Sequence, residues 1–270
     1  MHKFKKMIAG VMSICIAAAG VSFSPSAAVM AESKIETDSE WEVVSGILDD
    51  YTGIYTKNTT LGSPWDTGYS PDGPLMGNGT VYAFMAGDRK TQNIYISHSN
   101  MWQERTTNDG QEYTTFGGIT IQQSDSSNTG KMQEFRYEQD MKNAEVTAKS
   151  EQGFTTKSWL SAKENIIVTD ITNITKKELP MEVSAWTANA NTTAEVDADT
   201  MVVTKKGVSK PKDRDSGTGK WEGWNVNLAM ASQIVDDIDK ITQNVDDKKN
   251  VSAFTLQPGQ TVTMVSAVEG

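Results

Sequence analysis

Two histidines and one cysteine are all that this 270-residue chain offers for imidazole or thiolate chemistry. His2 and Cys15 lie in the first 31 residues, so His98 is the one imidazole beyond them. A Ser-His-Asp triad would have to use His98, yet no Gly-x-Ser-x-Gly elbow occurs in the sequence. A zinc site would need carboxylates in place of the missing His and Cys, which is an uncommon donor set. His98 follows Ile94-Tyr95-Ile96 and stands beside Asn100 and Trp102. There it reads either as a hydrogen-bonded residue at a strand end or as a ligand contact.

Carboxylates are plentiful but unsorted. Glycoside hydrolysis needs two carboxyl groups facing each other across a sugar, and the chain holds 35 acids. Asp66, Glu104 and Asp109 lie near aromatic residues, but none has a sequence-level reason for a raised pKa. No catalytic residue is assigned. Asp236, Asp237 and Asp239 are dense in oxygen, yet they lack the glycine and distal glutamate of an EF-hand loop and read as a solvated acidic turn. No metal and no cofactor are expected.

Aromatic residues carry more information. Sugar rings present apolar C–H faces on which indole and phenol rings stack, while Asn, Asp and Gln bind the hydroxyls. Trp65-Asp66, Asn100-Met101-Trp102 and Trp221-Glu222-Gly223-Trp224 each set an indole beside a polar neighbour, in or near a loop. With Asn78 and His98 these are the candidate carbohydrate contacts. Trp159 and Trp186 fall within strand patterns and are assigned to the core.

The elements that must position these residues read as strands. Short runs rich in β-formers occupy 81–86, 93–97, 118–122, 133–137, 144–148, 154–160 and 166–173. Others lie at 181–187, 201–204, 224–232, 251–256 and 261–268. Gly87-Asp88-Arg89-Lys90, Glu151-Gln152-Gly153 and Gln257-Pro258-Gly259 supply hairpin-like turns. Strands at this spacing without intervening helices indicate an antiparallel sandwich. Ahead of them, Trp41, Val44, Leu48 and Tyr51 recur at helical spacing, forming a short helix whose stripe would cover a sheet or a domain edge. Residues 60–79 are rich in glycine and proline around Trp65, Asp66 and Tyr69, too turn-prone for a regular element. Lys205 to Lys220 reads as a solvated excursion. Ile234, Ile238, Ile241 and Val245 suit a helix or a turn between strands.

Compartment and charge narrow the partners. Lys3, Lys5 and Lys6 precede an apolar run from Met7 to Phe23, and Val29-Met30-Ala31 offers a cleavage site. That order is a secretory signal peptide over residues 1–31, which predicts a secreted or cell-surface protein. Met12-Ser13-Ile14 ahead of Cys15 does not suit lipid attachment. The expected organisation is a helix and linker over 32–60 and a β-domain over 61–270. No membrane contact is expected after cleavage. The net charge of −10 repels phosphate backbones, so nucleic acid is excluded as a partner.

Pro74-Leu75-Met76-Gly77-Asn78-Gly79-Thr80-Val81 resembles the "P-x-G-N-G" entry of the N-terminal β-domain in glycoside hydrolases with an (α/α)6 barrel. Family 95, the α-L-fucosidases, is the nearest likeness, with family 65 and its phosphorylases more distant. The likeness continues through Ile94 to Ser97, Asn100 and Trp102, Phe116 to Ile121, Phe135 to Ala144, Phe154 to Ser161 and Asn165 to Asp170. The Asn-to-Trp spacing is shorter than in that family. Lys157-Ser158 replaces Arg-Glu, and Asn165 replaces Asp.

The resemblance implies a mainly β, two-sheet antiparallel β-supersandwich, similar to galactose mutarotase, behind a short N-terminal helix. It also implies that the catalytic groups belong to a C-terminal helical barrel absent from this chain. The expected role is the carbohydrate-associated domain of a secreted glycoside hydrolase that supports a sugar pocket. The alternatives are a free-standing carbohydrate-binding module and a structural surface β-sandwich.

Overall fold

The computed structural model describes residues 39–56, 73–104, 111–113, 115–124, 136–188, 192–197, 199–208, 212–213, 220–221, 225–238, 241–246 and 249–270. The signal peptide expected at 1–31 lies outside them. Helix α1 (Ser39–Asp49) leads into β1 (Thr52–Tyr55). Next come β2 (Leu75–Gly77), β3 (Val81–Gly87) and β4 (Gln92–His98), then the short strands β5 (Trp102–Glu104) and β6 (Gln111–Tyr113). The middle of the chain forms β7 (Gly117–Gln123), β8 (Arg136–Asp140), β9 (Glu145–Lys149), β10 (Phe154–Leu160), β11 (Ile166–Asn173) and β12 (Leu179–Thr187). After these are β13 (Thr192–Asp197), β14 (Thr200–Val208), β15 (Lys212–Asp213) and β16 (Lys220–Trp221). The last four are β17 (Asn225–Ile234), β18 (Thr242–Asp246), β19 (Lys249–Leu256) and β20 (Thr261–Glu269).

These strands make a two-sheet antiparallel sandwich, as the strand spacing predicts. One sheet has nine strands in the order β1-β8-β9-β10-β11-β20-β17-β14-β13, and the other seven in the order β18-β19-β12-β7-β4-β3-β2. Alternation decides which side chains meet. In β4, Gln92, Ile94, Ile96 and His98 are buried while the residues between them are part-exposed, the signature of a strand with one face on the core. Ile94, Ile96, Ile119, Ile121, Met181 and Val183 of the seven-stranded sheet pack with Val146, Phe154, Ile167, Ile171, Met230 and Met264 of the nine-stranded one.

Polar bonds inside this apolar layer fix how one sheet sits on the other. The Thr156 hydroxyl donates to Gln92 Oε1 across the core at 2.6 Å. Asn250 Nδ2 donates to the carbonyls of Glu195 and Val202, on β13 and β14 of the opposite sheet. Asn173 Nδ2 donates to Lys177, Leu256 and Gln257, holding the end of β11 to the end of β19. Each such bond adds only about 1 kcal/mol net, but an orphaned buried amide would cost more, so the bonds specify register.

Several expectations change on contact with the tertiary structure. Helix α1 forms, but its stripe covers little: Trp41, Val44 and Tyr51 are exposed and only Leu48 is part-buried. The helix is tied down at its end, where Lys142 Nζ meets Asp49 at 2.6 Å. The nine-stranded sheet takes its edge strand from residues 52–55, ahead of the expected β-domain start at 61. Gln257-Pro258-Gly259 is not a hairpin, because β19 and β20 belong to different sheets. It is a crossover, with Gly259 at φ 73° and its N–H given to the Asn173 carbonyl. Of the two readings for Ile234 to Val245, the described residues form no helix. Ile234 closes β17, Ile238 and Ile241 pack on the core, and Val245 lies exposed in β18.

Candidate functional site

One end of the sandwich gathers most of the described candidates. The β2–β3 turn, the exit of β4, the entry to β7 and the exit of β12 all lie there. Val81 pairs with His98, and Ser99 donates its N–H to the Thr80 carbonyl at 2.8 Å. Asn78, whose N–H is given to the Val81 carbonyl, and His98 thus flank Val81 at the mouth of β3.

Asn78 organises the turn. Its Oδ1 accepts the N–H groups of Thr80 and Val81, both at 2.9 Å, which is the local bonding that makes asparagine a turn residue. Its Nδ2 faces the Ser161 carbonyl, the Glu164 carbonyl and Asn165 Oδ1, each at 3.2 Å. Those three belong to the β10–β11 turn of the opposite sheet. The carboxamide is committed to protein on both sides, so Asn78 shapes the rim of this end.

His98 is buried. Its Nδ1 accepts the Asn100 N–H at 3.0 Å, which puts the ring proton on Nε2. Burial lowers its pKa below the usual imidazole value, so the ring is neutral at pH 7 and presents an N–H donor. Asn100 itself is exposed, and the His98 carbonyl accepts the Met101 N–H at 2.8 Å. Gly270 abuts this site: a Cβ built there would lie 3.4 Å from His98 Cε1.

The sequence reading missed Lys205. Expected in a solvated excursion, it is a buried residue of β14 whose Nζ donates to the Thr115 carbonyl at 2.8 Å. Burial pushes its pKa down to about 8. The signal was present in the alternation of Met201, Val203 and Lys205, all buried on one face. β5 packs beside β14, so the strand bearing Trp102 joins the same end. Trp221 lies in the small β15–β16 ribbon inserted between β14 and β17. Trp65, Asp66 and Trp224 lie outside the described residues, as do Asp109 and Asp239.

Trp159 and Trp186 do not join the core between the two sheets, although Trp159 packs against the aliphatic cluster on the outer side of its own sheet. Each is part-exposed on the outer face of its sheet, because strand parity places them opposite the inward set of β10 and β12. Trp186 stands with Phe84 and Tyr95 on the outside of the seven-stranded sheet. The Phe84 and Tyr95 rings stack at 5.3 Å with planes 7° apart, and Trp186 meets Tyr95 edge-on at 5.5 Å and 81°.

Chemically, the sandwich end offers donors and acceptors. Asp236 spends one carboxylate oxygen on the Thr263 N–H. Among the described residues no group of three or more His, Cys, Asp or Glu is placed to hold a metal ion.

No family profile and no curated protein matches the chain. Among solved structures it is similar to a putative kojibiose phosphorylase from the human microbiome, at 9% identity and TM-score 0.42, over 74% of this chain and 33% of that one. It is also similar to a family GH92 alpha-mannosidase from Bacteroides thetaiotaomicron, at 7% identity and TM-score 0.41, over 73% of this chain and 31% of that one. The chain spans about a third of the length of these two proteins.

Proposed function

We propose that this chain is a carbohydrate-associated β-domain of an exported glycoside hydrolase, which shapes a sugar pocket while a helical partner domain cleaves the bond. The observation that carries this reading is the Asn78–Asn165 contact at 3.2 Å. Both residues belong to the segments that resemble the N-terminal domain of family 95 hydrolases. They are 87 positions apart, yet they meet across the two sheets. The other matching segments fall on β4, β7, β8, β10 and β11 of the same sandwich. The ordered motifs thus lie on strands of one sandwich.

Two further features support the reading. Helix α1 carries Trp41, Val43, Val44 and Ile47 uncovered, the kind of apolar surface that a domain with a partner retains. At the sandwich end, the exposed Asn100 beside buried His98 offers an amide of the kind that binds sugar hydroxyls.

The test has two arms. The purified chain is assayed on aryl glycosides of fucose, glucose and mannose, and no enzyme-like turnover is expected. The coding DNA beyond the Gly270 codon is then read. An in-frame helical region of several hundred residues supports the proposal, and efficient hydrolysis by the chain alone overturns it.

A further inference from the structure

The outer face of the seven-stranded sheet carries a second arrangement that the sandwich end does not explain. Leu75, Phe84, Tyr95, Gly118, Trp186 and Lys249 are successive register partners across β2, β3, β4, β7, β12 and β19. They form one straight row. Directly beside it runs Ala86, Asn93, Thr120, Ser184, Val251 and Asn244. A row that carries three aromatic rings therefore lies against one in which Asn93, Thr120, Ser184 and Asn244 stand among Ala86 and Val251.

Gly118 makes the aromatic geometry. A Cβ there would sit 2.9 Å from Trp186 Cζ2 and 2.3 Å from the Ile94 carbonyl oxygen. The indole therefore sits over the bare backbone of β7, its Nε1–Cζ2 edge beside Thr120 and Gly118 and the side chain part-exposed. Tyr95, close to perpendicular to it and backed by the parallel ring of Phe84, stands beside it. The indole is locked in place, because Trp186 Nε1 donates to Thr120 Oγ1 at 2.9 Å and Thr120 in turn donates to Asn93 Oδ1 at 2.7 Å. That chain leaves the Asn93 carboxamide nitrogen without a partner among the described residues. Gln122 and Glu182, bonded to each other at 3.1 Å, continue the polar side.

We infer that this corner is a second carbohydrate contact: a pyranose ring stacks its C–H face on Trp186, abuts Tyr95, and gives hydroxyls to Asn93 and the Gln122–Glu182 pair. The inference rests on the carbohydrate reading above for its ligand class and adds a place the sandwich end does not supply. Neutral glycans are the class that fits. The chain is strongly acidic, with a net charge of −10, and disfavours anionic polysaccharides. A protein surface fits less well, because it would have to bury the amide and carboxylate groups of the adjoining rows. Covering Gly118 is by itself a structural role for an aromatic ring, but it does not require the Tyr95–Phe84 stack or the relay to Asn93.

The experiment is affinity electrophoresis of the full chain in native gels containing xyloglucan, galactomannan, mixed-linkage β-glucan or dextran, with titration calorimetry on the glycan that retards it. Trp186→Ala and Tyr95→Ser are compared with Trp186→Phe, which keeps Gly118 covered, and with Lys149→Ala on the other sheet. Thermal unfolding identifies variants that remain folded. The expected result is retardation of the wild type, about tenfold weaker affinity in Tyr95→Ser and Trp186→Ala, an intermediate value for Trp186→Phe, and no change for Lys149→Ala. Retardation that survives the face variants but disappears in Asn100→Ala would assign binding to the sandwich end and overturn this inference while leaving the proposed function standing. A wild type that no glycan retards also overturns it, as does a face variant that changes only the chain's state of association.

Discussion

Outside the nine-stranded sheet lie Ile166, Val168, Val202, Ala229, Ala231, Val265 and Ala267, a buried aliphatic patch with Trp159 and Val235 at its margin. Outside the seven-stranded sheet lie Phe84, Tyr95 and Trp186 beside Asn93, Thr120 and Gln122, all part-exposed. Both surfaces arise from the same device, strand residues of the parity that points away from the core. Their chemistry diverges. The first is made of small aliphatic groups with nothing to offer a hydroxyl, and Glu269, paired with Ala229 at its border, has its carboxyl pKa raised by burial. The second couples aromatic faces to amides. The difference teaches that the alternate residues of a sandwich strand can form a second dry layer on one sheet and a wet recognition surface on the other.

The sharpest way to break that contrast is to place the same charge on each face. Ala231→Asp sets a carboxylate with no partner into the aliphatic patch and should cost about 3 kcal/mol or more, read from the urea midpoint. Asn93→Asp keeps the acceptor for Thr120 and should stay within about 0.5 kcal/mol of the wild type. Equal losses would erase the distinction between the faces.

The inner layer gives a reference of similar size. The Lys205 ammonium is held charged in a buried site, and its pKa falls from 10.5 to about 8 on folding. Between those values the unfolded chain holds more protons than the folded one, so stability should climb as pH rises from 8 to 10.5, and below 8 the full penalty remains. Lys205→Met should remove that climb and, at pH 7, unfold later than the wild type, by up to about 3 kcal/mol. Denaturant titrations at pH 7 and pH 10 measure both.

A smaller effect is expected on the aromatic face. Tyr95→Ser removes one stacked and one edge contact from part-exposed rings and should cost about 1.5 kcal/mol, with a blue-to-red change in Trp186 emission as the indole loses its neighbour. The smallest concerns helix α1. Lys142→Ala breaks an exposed ion pair to Asp49 and should move the unfolding midpoint by less than about 0.5 kcal/mol.

Much of the fold is legible in the sequence. The runs at 154–160 and 166–173 coincide with β10 and β11, and Gly87 to Lys90 is the expected turn, with Asp88 Oδ1 accepting the N–H groups of Lys90 and Thr91. Of the candidate site, His98 was placed at its strand end and Asn78 in its turn. The strands β1, β2, β5, β6, β13, β15, β16 and β18 are not legible in the sequence, since most of them are too short to carry a measurable period. Lys205 and Trp186 were misassigned for a common reason: residue type suggested an environment, and strand parity dictated the opposite one.

By itself the sequence determined where the chain is extended and where it turns, because β-branched runs and glycine-asparagine-aspartate turns act over a few residues. Only the tertiary structure decided which sheet each strand joined, and so which parity faced the core. That choice depends on pairing between segments far apart in the chain, such as Asn78 with Asn165 and Asn250 with Val202. It is this long-range register that aligned Phe84, Tyr95, Gly118 and Trp186 in one row.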